Sequence, residues 1–150
     1  MPLVLADPKT KFRLRQAAEK EEHAFYSERV SKEWLAALLP LEVDENKAFL
    51  EEAPYVIAIF AQTYGLLPDG TKVKNYYVNE SVGIAAGILI TAIHRAGLAS
   101  LTHTPIPMGF IRRILNRPAN ERPFLLLVVG YPHVDAVVPE IRRKTSQETV

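Results

Sequence analysis

Apolar positions recur with two different spacings along this chain. Pro54-Tyr-Val-Ile-Ala-Ile-Phe-Ala and Pro123-Phe-Leu-Leu-Leu-Val-Val-Gly are nearly continuous β-rich runs. Such runs predict strands buried on both faces, with helices covering the sheet on each side. Shorter strands are predicted at 4–6 and 98–102. Elsewhere the spacing is helical. Asp7-Pro8 opens a helix, with Asp as N-cap and Pro at the first helical position, and the stripe Phe12, Leu14, Ala17, Ala18 carries it to about Tyr26. Ser31 opens a second amphipathic helix, whose stripe Trp34, Leu35, Leu38, Leu39 runs into the terminating Pro40. Residues 41–47 are polar and loop-like, and 48–53 form a short helix or turn. Pro68-Asp69-Gly70 predicts a turn within 66–74. An apolar helix spans 79–96 and closes on Gly97. Its Gly83 and Gly87, one turn apart, would let another backbone approach. A last helix at 107–116 stops before Pro118. From Tyr131 the chain is polar and punctuated by proline, a tail beginning at about 132.

Strands alternating with helices place the chain in the α+β or α/β class around one sheet. Its 150 residues suit one domain, and 48% apolar content supports a real core. Eighteen Lys and Arg against seventeen Asp and Glu give no electrostatic case for nucleic acid or an anionic membrane. The run from Val82 to Ile93 is too short to span a bilayer. The N-terminus lacks the basic and long apolar regions of a secretory signal, so a cytoplasmic protein is expected. No cysteine is present, which excludes disulfides, thiol nucleophiles and thiolate metal sites. The four histidines are too dispersed to suggest zinc. Redox chemistry here would need a bound organic cofactor.

Four groups of residues carry possible chemistry, and each has an ordinary reading. Glu22 and Tyr26 stand four apart on one helical face, which also describes a solvated acidic face followed by a packing aromatic. Lys47 alone is an unremarked surface lysine. Leu101-Thr-His-Thr-Pro105 ends a predicted strand, where ligands bind in mixed sheets; its hydroxyls and imidazole suit a flat heterocycle, or Thr104 caps the next helix. Arg142-Arg143-Lys144 suits a phosphate, or is a solvated basic tail. No glycine-rich phosphate loop accompanies it.

Taken in order, Trp34, Lys47, Ala53-Pro54, the run from Tyr77 to Gly87, Gly97-Leu, Leu101-Thr-His-Thr-Pro, Asn116-Arg-Pro-Ala-Asn-Glu-Arg-Pro and Val129-Gly-Tyr-Pro resemble the iodotyrosine deiodinase branch of the nitroreductase superfamily. The Gly-Tyr-Pro strand end is weakly specific; Glu-x-x-x-Tyr followed by Lys47 is much more so. The resemblance implies a nitroreductase-like fold, a central mixed sheet flanked by helices. It implies the α+β class and a lid over about 20–50, on which Glu22, Tyr26 and Lys47 hold the zwitterionic end of a halotyrosine. It implies FMN, lined by Thr102, His103 and Thr104, with Arg143 at its phosphate. Thr104 matches the catalytic threonine whose hydroxyl approaches flavin N5, a placement that suits one-electron steps over hydride transfer. The expected activity is reductive dehalogenation of a halotyrosine or related halophenol, with a reduced nicotinamide such as NADPH or another donor, in a homodimer. The family's Arg-Arg-Ser-x-Arg-type phosphate segment and Pro-Ser-Gly-Ala-Asn-like segment do not occur in this sequence. An N-terminally truncated member is therefore expected. Two other functions remain open: a broad nitroreductase or quinone reductase, and a non-catalytic truncated paralogue paired with a full-length subunit.

Overall fold

The computed structural model describes residues 2–41, 43–138, 140 and 142–149. Glu42 of the predicted loop, and Pro139, Ile141 and Val150 of the predicted tail, lie outside them. The chain runs β1 (Pro2–Leu5), α1 (Pro8–Ala24), α2 (Lys32–Leu38), α3 (Phe49–Glu52), β2 (Tyr55–Gln62), β3 (Tyr64–Leu66), β4 (Lys72–Lys74), α4 (Val78–Arg95), β5 (Ala99–His103), α5 (Gly109–Ile114) and β6 (Glu121–Gly130).

The two apolar runs become the centre of a four-stranded sheet of order β1-β2-β6-β5. Strands β2 and β6 pair over their whole length, with one irregularity between Ile59 and Phe60 opposite Pro123. Proline cannot donate to a ladder, so a break in register is a natural place for it. The α+β class holds. All pairings among the described strands are antiparallel.

Alternation along these strands sends side chains to two cores. Val56, Ala58, Phe60, Leu126 and Val128 pack with Leu14 and Ala18 of α1, Leu50 of α3, and Phe110 and Ile111 of α5. Ile59, Leu125, Leu127 and Val129 pack on the other face, against Ala86 and Ile93 of α4. A strand buried on both faces needs apolar side chains at every position, which is why these two runs do not alternate.

The ends of the helices follow their capping residues. Asp7 Oδ2 accepts from Thr10 N at 2.8 Å, with Pro8 in the first turn. Ser31 accepts from Trp34 N at 3.2 Å. Gly97, with φ +77°, follows the end of α4. Gly130 is required for another reason: a Cβ there would lie 2.9 Å from Pro54 Cδ. That contact joins the Ala53-Pro54 and Gly130-Tyr131-Pro132 motifs across the β2–β6 pair.

Several expectations change. The apolar stripe of α2 does not enter the core; no residue of α2 is buried, and Trp34 is 47% exposed. The Pro68-Asp69-Gly70 turn joins two strands, β3 and β4, that pattern did not reveal. Thr104 does not cap α5, whose N-cap position is Met108. A Cβ at Gly83 would lie 3.8 Å from the Phe124 ring and one at Gly87 would meet open space, so no backbone among the described residues packs on either position.

Lys11 is the charged residue that ties α1 to the chain leading into β2. It is 6% exposed, and its Nζ donates to the carbonyls of Glu51 at 2.9 Å and Ala53 at 2.6 Å. Those carbonyls lie at the end of α3, where helical partners have run out. Lys11→Met keeps the aliphatic stem and removes both donors. It is expected to cost about 2 kcal/mol of stability, the scale for stranding buried acceptors, measured by denaturant unfolding.

Candidate functional site

Helix α1 does not stop cleanly at the residues that matter. After Ala24 it widens into a π-helical turn, Phe25–Arg29, closed by Val30 N donating to Phe25 O at 3.0 Å. Arg29 donates back to Glu21 O at 2.7 Å and stabilises the turn. A π turn shifts the side chains that follow it, and such turns concentrate at functional sites. Here it turns Phe25 and Tyr26 towards the same space as Glu22.

That space is a cavity of about 220 Å³, and it brings together six residues singled out in the sequence: Glu22, Tyr26, Lys47, Thr102, His103 and Thr104. Phe25, Trp34, Leu38, Val43 and Ile106 supply its apolar wall. Phe25 packs edge-to-face on Trp34 at 5.1 Å and on Tyr26 at 5.3 Å. Half of the α2 stripe, Trp34 and Leu38, thus lines a cavity rather than a core. Arg143 is not part of this group. It lies in the exposed tail, while its neighbour Arg142 pairs with Glu148. A larger depression of about 590 Å³ lies beyond the end of β5. Its one carboxylate, Glu121, is already held by Arg117 at 2.7 Å and 2.8 Å, so it offers less chemistry.

Lys47 is no surface lysine. It is 5% exposed, its Nζ lies 3.6 Å from Glu22 Oε2, and it donates to the carbonyl of Asp44. Its backbone N–H donates to Glu19 Oε1 at 3.0 Å, and the same oxygen receives Arg15 Nε at 2.8 Å. Burial works to raise the Glu19 carboxyl, but Arg15 and the Lys47 N–H outweigh it and hold it below its usual range. Glu19 therefore anchors the segment that carries Lys47. Its i, i+4 pairing with Arg15 is legible in sequence; its reach across 28 residues to Lys47 is not.

Tyr26 is pushed up by burial and by the nearby Glu22 and Asp44 carboxylates, so it remains a phenol and a donor. His103 is 8% exposed and is lowered to about 4, first by burial and then by the Lys47 charge. It is neutral near pH 7. Its ring meets Phe49 edge-to-face at 5.5 Å, and its Nε2 is buried without a hydrogen-bond partner among the described residues. Thr102 and Thr104 keep exposed hydroxyls at the end of β5, the edge strand of the sheet.

Residues 4–131 match the nitroreductase family. The chain belongs to that family. Among its relatives, the chain is 58% identical over 142 residues to an iodotyrosine deiodinase of Haliscomenobacter hydrossis, covering 95% of this chain and 64% of that one. To the iodotyrosine deiodinase of Drosophila melanogaster it is 46% identical over 143 residues, covering 94% and 50%. The chain thus spans between about half and two thirds of the length of these curated relatives. A crystal structure of oxidized iodotyrosine deiodinase bound to FMN and 3-iodo-L-tyrosine superposes with a TM-score of 0.83 at 29% identity, covering 97% of this chain and 72% of that one. An FMN-dependent nitroreductase from Clostridium difficile shares the fold, with a TM-score of 0.60 at 19% identity and 92% and 66% covered.

Proposed function

We propose that this nitroreductase is FMN-dependent and reductively dehalogenates a halotyrosine, with residues of about 20–50 acting as a lid that clamps the amino-acid end of the substrate. The observation that carries the reading is the buried Lys47 held 3.6 Å from the part-buried Glu22 inside an aromatic-walled cavity. The separation exceeds a normal hydrogen bond, and the Glu22 carboxylate makes no hydrogen bond among the described residues. Each charge is therefore held near an opposite charge yet left with capacity for a ligand. A zwitterion matches both: its ammonium to Glu22, its carboxylate to Lys47 and the Tyr26 phenol. Exclusion of water by the closed lid strengthens each charge-assisted bond. The similarity to iodotyrosine deiodinases supports the same substrate class.

The donor set at the end of β5 fits the ring of FMN. The Thr102 and Thr104 hydroxyls are exposed there, and the outer edge of β5 pairs with no strand among the described residues. Bound FMN would supply the electrons that replace the carbon–halogen bond by a carbon–hydrogen bond, two electrons and a proton entering as halide leaves. Thr104 would donate to the flavin, and the Phe25–Trp34 wall would hold the substrate ring against it. Arg143 would contribute to the phosphate. The electrons would come from a reduced nicotinamide or an equivalent donor in the cytoplasm. No helix among the described residues is long and apolar enough to cross a membrane. A homodimer is part of the same reading: Ile84 and Ile88 of α4 are 67% and 66% exposed around the open side of Gly87, a face that a second copy would cover.

The test is chemical. Protein carrying FMN, reduced with dithionite and supplied with 3-iodo-L-tyrosine, is expected to release iodide and tyrosine in equal amounts. FMN retention without iodide release overturns the proposed activity.

A further inference from the structure

Deepening the zwitterion-clamp reading, on which it rests, we propose that His103 is a positioning residue for Lys47, accepting a hydrogen bond at Nε2 from the Lys47 ammonium once a ligand's ammonium occupies Glu22. Two observations meet here. Nε2 is a buried polar atom with no partner among the described residues. Lining the same cavity is Lys47, an equally buried cation whose pairing with Glu22 is too long for a hydrogen bond.

The donors and acceptors balance only in the bound state. An ammonium has three N–H donors and no acceptor. In the structure Lys47 uses one of them on the Asp44 carbonyl and points at Glu22 across 3.6 Å. An incoming α-amino acid takes Glu22 for its own ammonium and offers a carboxylate in exchange. The Lys47 donors then divide among the Asp44 carbonyl, the ligand carboxylate and His103 Nε2, and no donor is left over. An imidazole can take this part only when neutral, and its burial beside a cation keeps it so near pH 7. The remaining groups around His103 are compatible with this state. Phe49 is apolar, Leu126 opposite it on β6 is apolar, Tyr26 is a phenol, and Glu22 balances Lys47.

In the ligand-free arrangement Nε2 is desolvated without a partner among the described residues, so the empty cavity carries that cost. Occupation by a zwitterion relieves the penalty; occupation by a halophenol, which brings no ammonium for Glu22, does not. His103 therefore favours amino-acid ligands over bare phenols.

The test is a double-mutant cycle on the FMN-loaded protein, with the Kd for 3-iodo-L-tyrosine read by flavin fluorescence and 2-iodophenol as the control ligand. His103→Leu is expected to weaken iodotyrosine binding by about tenfold, the scale of one hydrogen bond to a charged group. It is expected to weaken 2-iodophenol binding far less than iodotyrosine binding and to have little further effect on iodotyrosine in a Lys47→Met background. His103→Gln, which restores a neutral acceptor, is expected to recover most of the loss. Equal losses in both backgrounds, or parallel losses for the two ligands, overturn the proposal. Iodotyrosine affinity that ignores Lys47→Met brings down the clamp reading and this proposal with it. Sensitivity to Lys47→Met without coupling to His103 brings down this proposal alone.

Discussion

Lys47→Met is expected to weaken 3-iodo-L-tyrosine binding by about 100-fold, the lower part of the range for removing one partner of a desolvated charge pair. Methionine keeps the length and apolar stem of lysine, so the change isolates the charge. Two losses add together. The ligand carboxylate loses its ammonium partner, and Glu22 is left in the cavity without the cation now 3.6 Å away. Glu22→Gln is expected to act on the other end of the zwitterion, with a smaller loss, because an amide still accepts from the ligand ammonium. Neither change alters the Phe25–Trp34 wall, so a halophenol's affinity is expected to hold. Calorimetric titration of both ligands against the three proteins checks this. Equal loss of halophenol affinity would mean that Lys47 shapes the cavity and does not read the zwitterion.

Acid is expected to destabilise the fold in a window assigned to one side chain. His103 is held near 4 in the folded chain, against 6.5 for a free imidazole. Between those values the unfolded chain takes up a proton that the folded chain refuses. Stability therefore rises with pH across the window and is lost as pH falls through it. The size is ~2 kcal/mol by pH 5, and ~3 kcal/mol once pH 4 is reached. Carboxylates held low by their partners, such as Glu121 beside Arg117, act in a lower range: their stabilisation is present above the usual carboxylate value and fades below it. Urea unfolding at pH 7 and pH 5 separates the two. The difference is expected in the native protein and largely absent in His103→Leu. A pH dependence unchanged by that substitution would refute the assignment.

Much of the fold is legible before any coordinates, because its strongest signals are local. The two apolar runs could only be strands buried on both faces. Asp7-Pro8, Ser31 and Gly97 mark helix ends through bonds made within a few residues. Other features are not local. Strands β3 and β4 have three residues each, and Lys72-Val73-Lys74 has no buried position to leave a pattern. The stripe of α2 is amphipathic, but periodicity does not say that Trp34 and Leu38 meet a cavity and no part of it a core. The antiparallel pairing of β5 with β6 depends on chain direction, which composition does not encode.

The candidate site divides in the same way. Glu22 and Tyr26 share a helical face at sequence spacing, and the Thr102–Thr104 segment sits where a strand ends. Lys47 is 25 positions beyond Glu22, in a polar stretch with no local mark of burial. Its anchors, Glu19 among them, are tertiary contacts that the stretch itself does not reveal. The π turn that orients Phe25 and Tyr26 has no sequence signature of its own. The orphaned Nε2 of His103 is visible only once its surroundings are built.

The measurement that bears most directly on the account is titration of 3-iodo-L-tyrosine into the FMN-loaded protein, followed by flavin fluorescence. Saturable quenching by iodotyrosine, much weaker with N-acetylated and esterified iodotyrosine that lacks both charges, is the predicted result. Bound flavin whose fluorescence ignores iodotyrosine, or responds equally to the uncharged derivative, would contradict the central claim that Glu22 and Lys47 form a clamp for a halogenated amino acid.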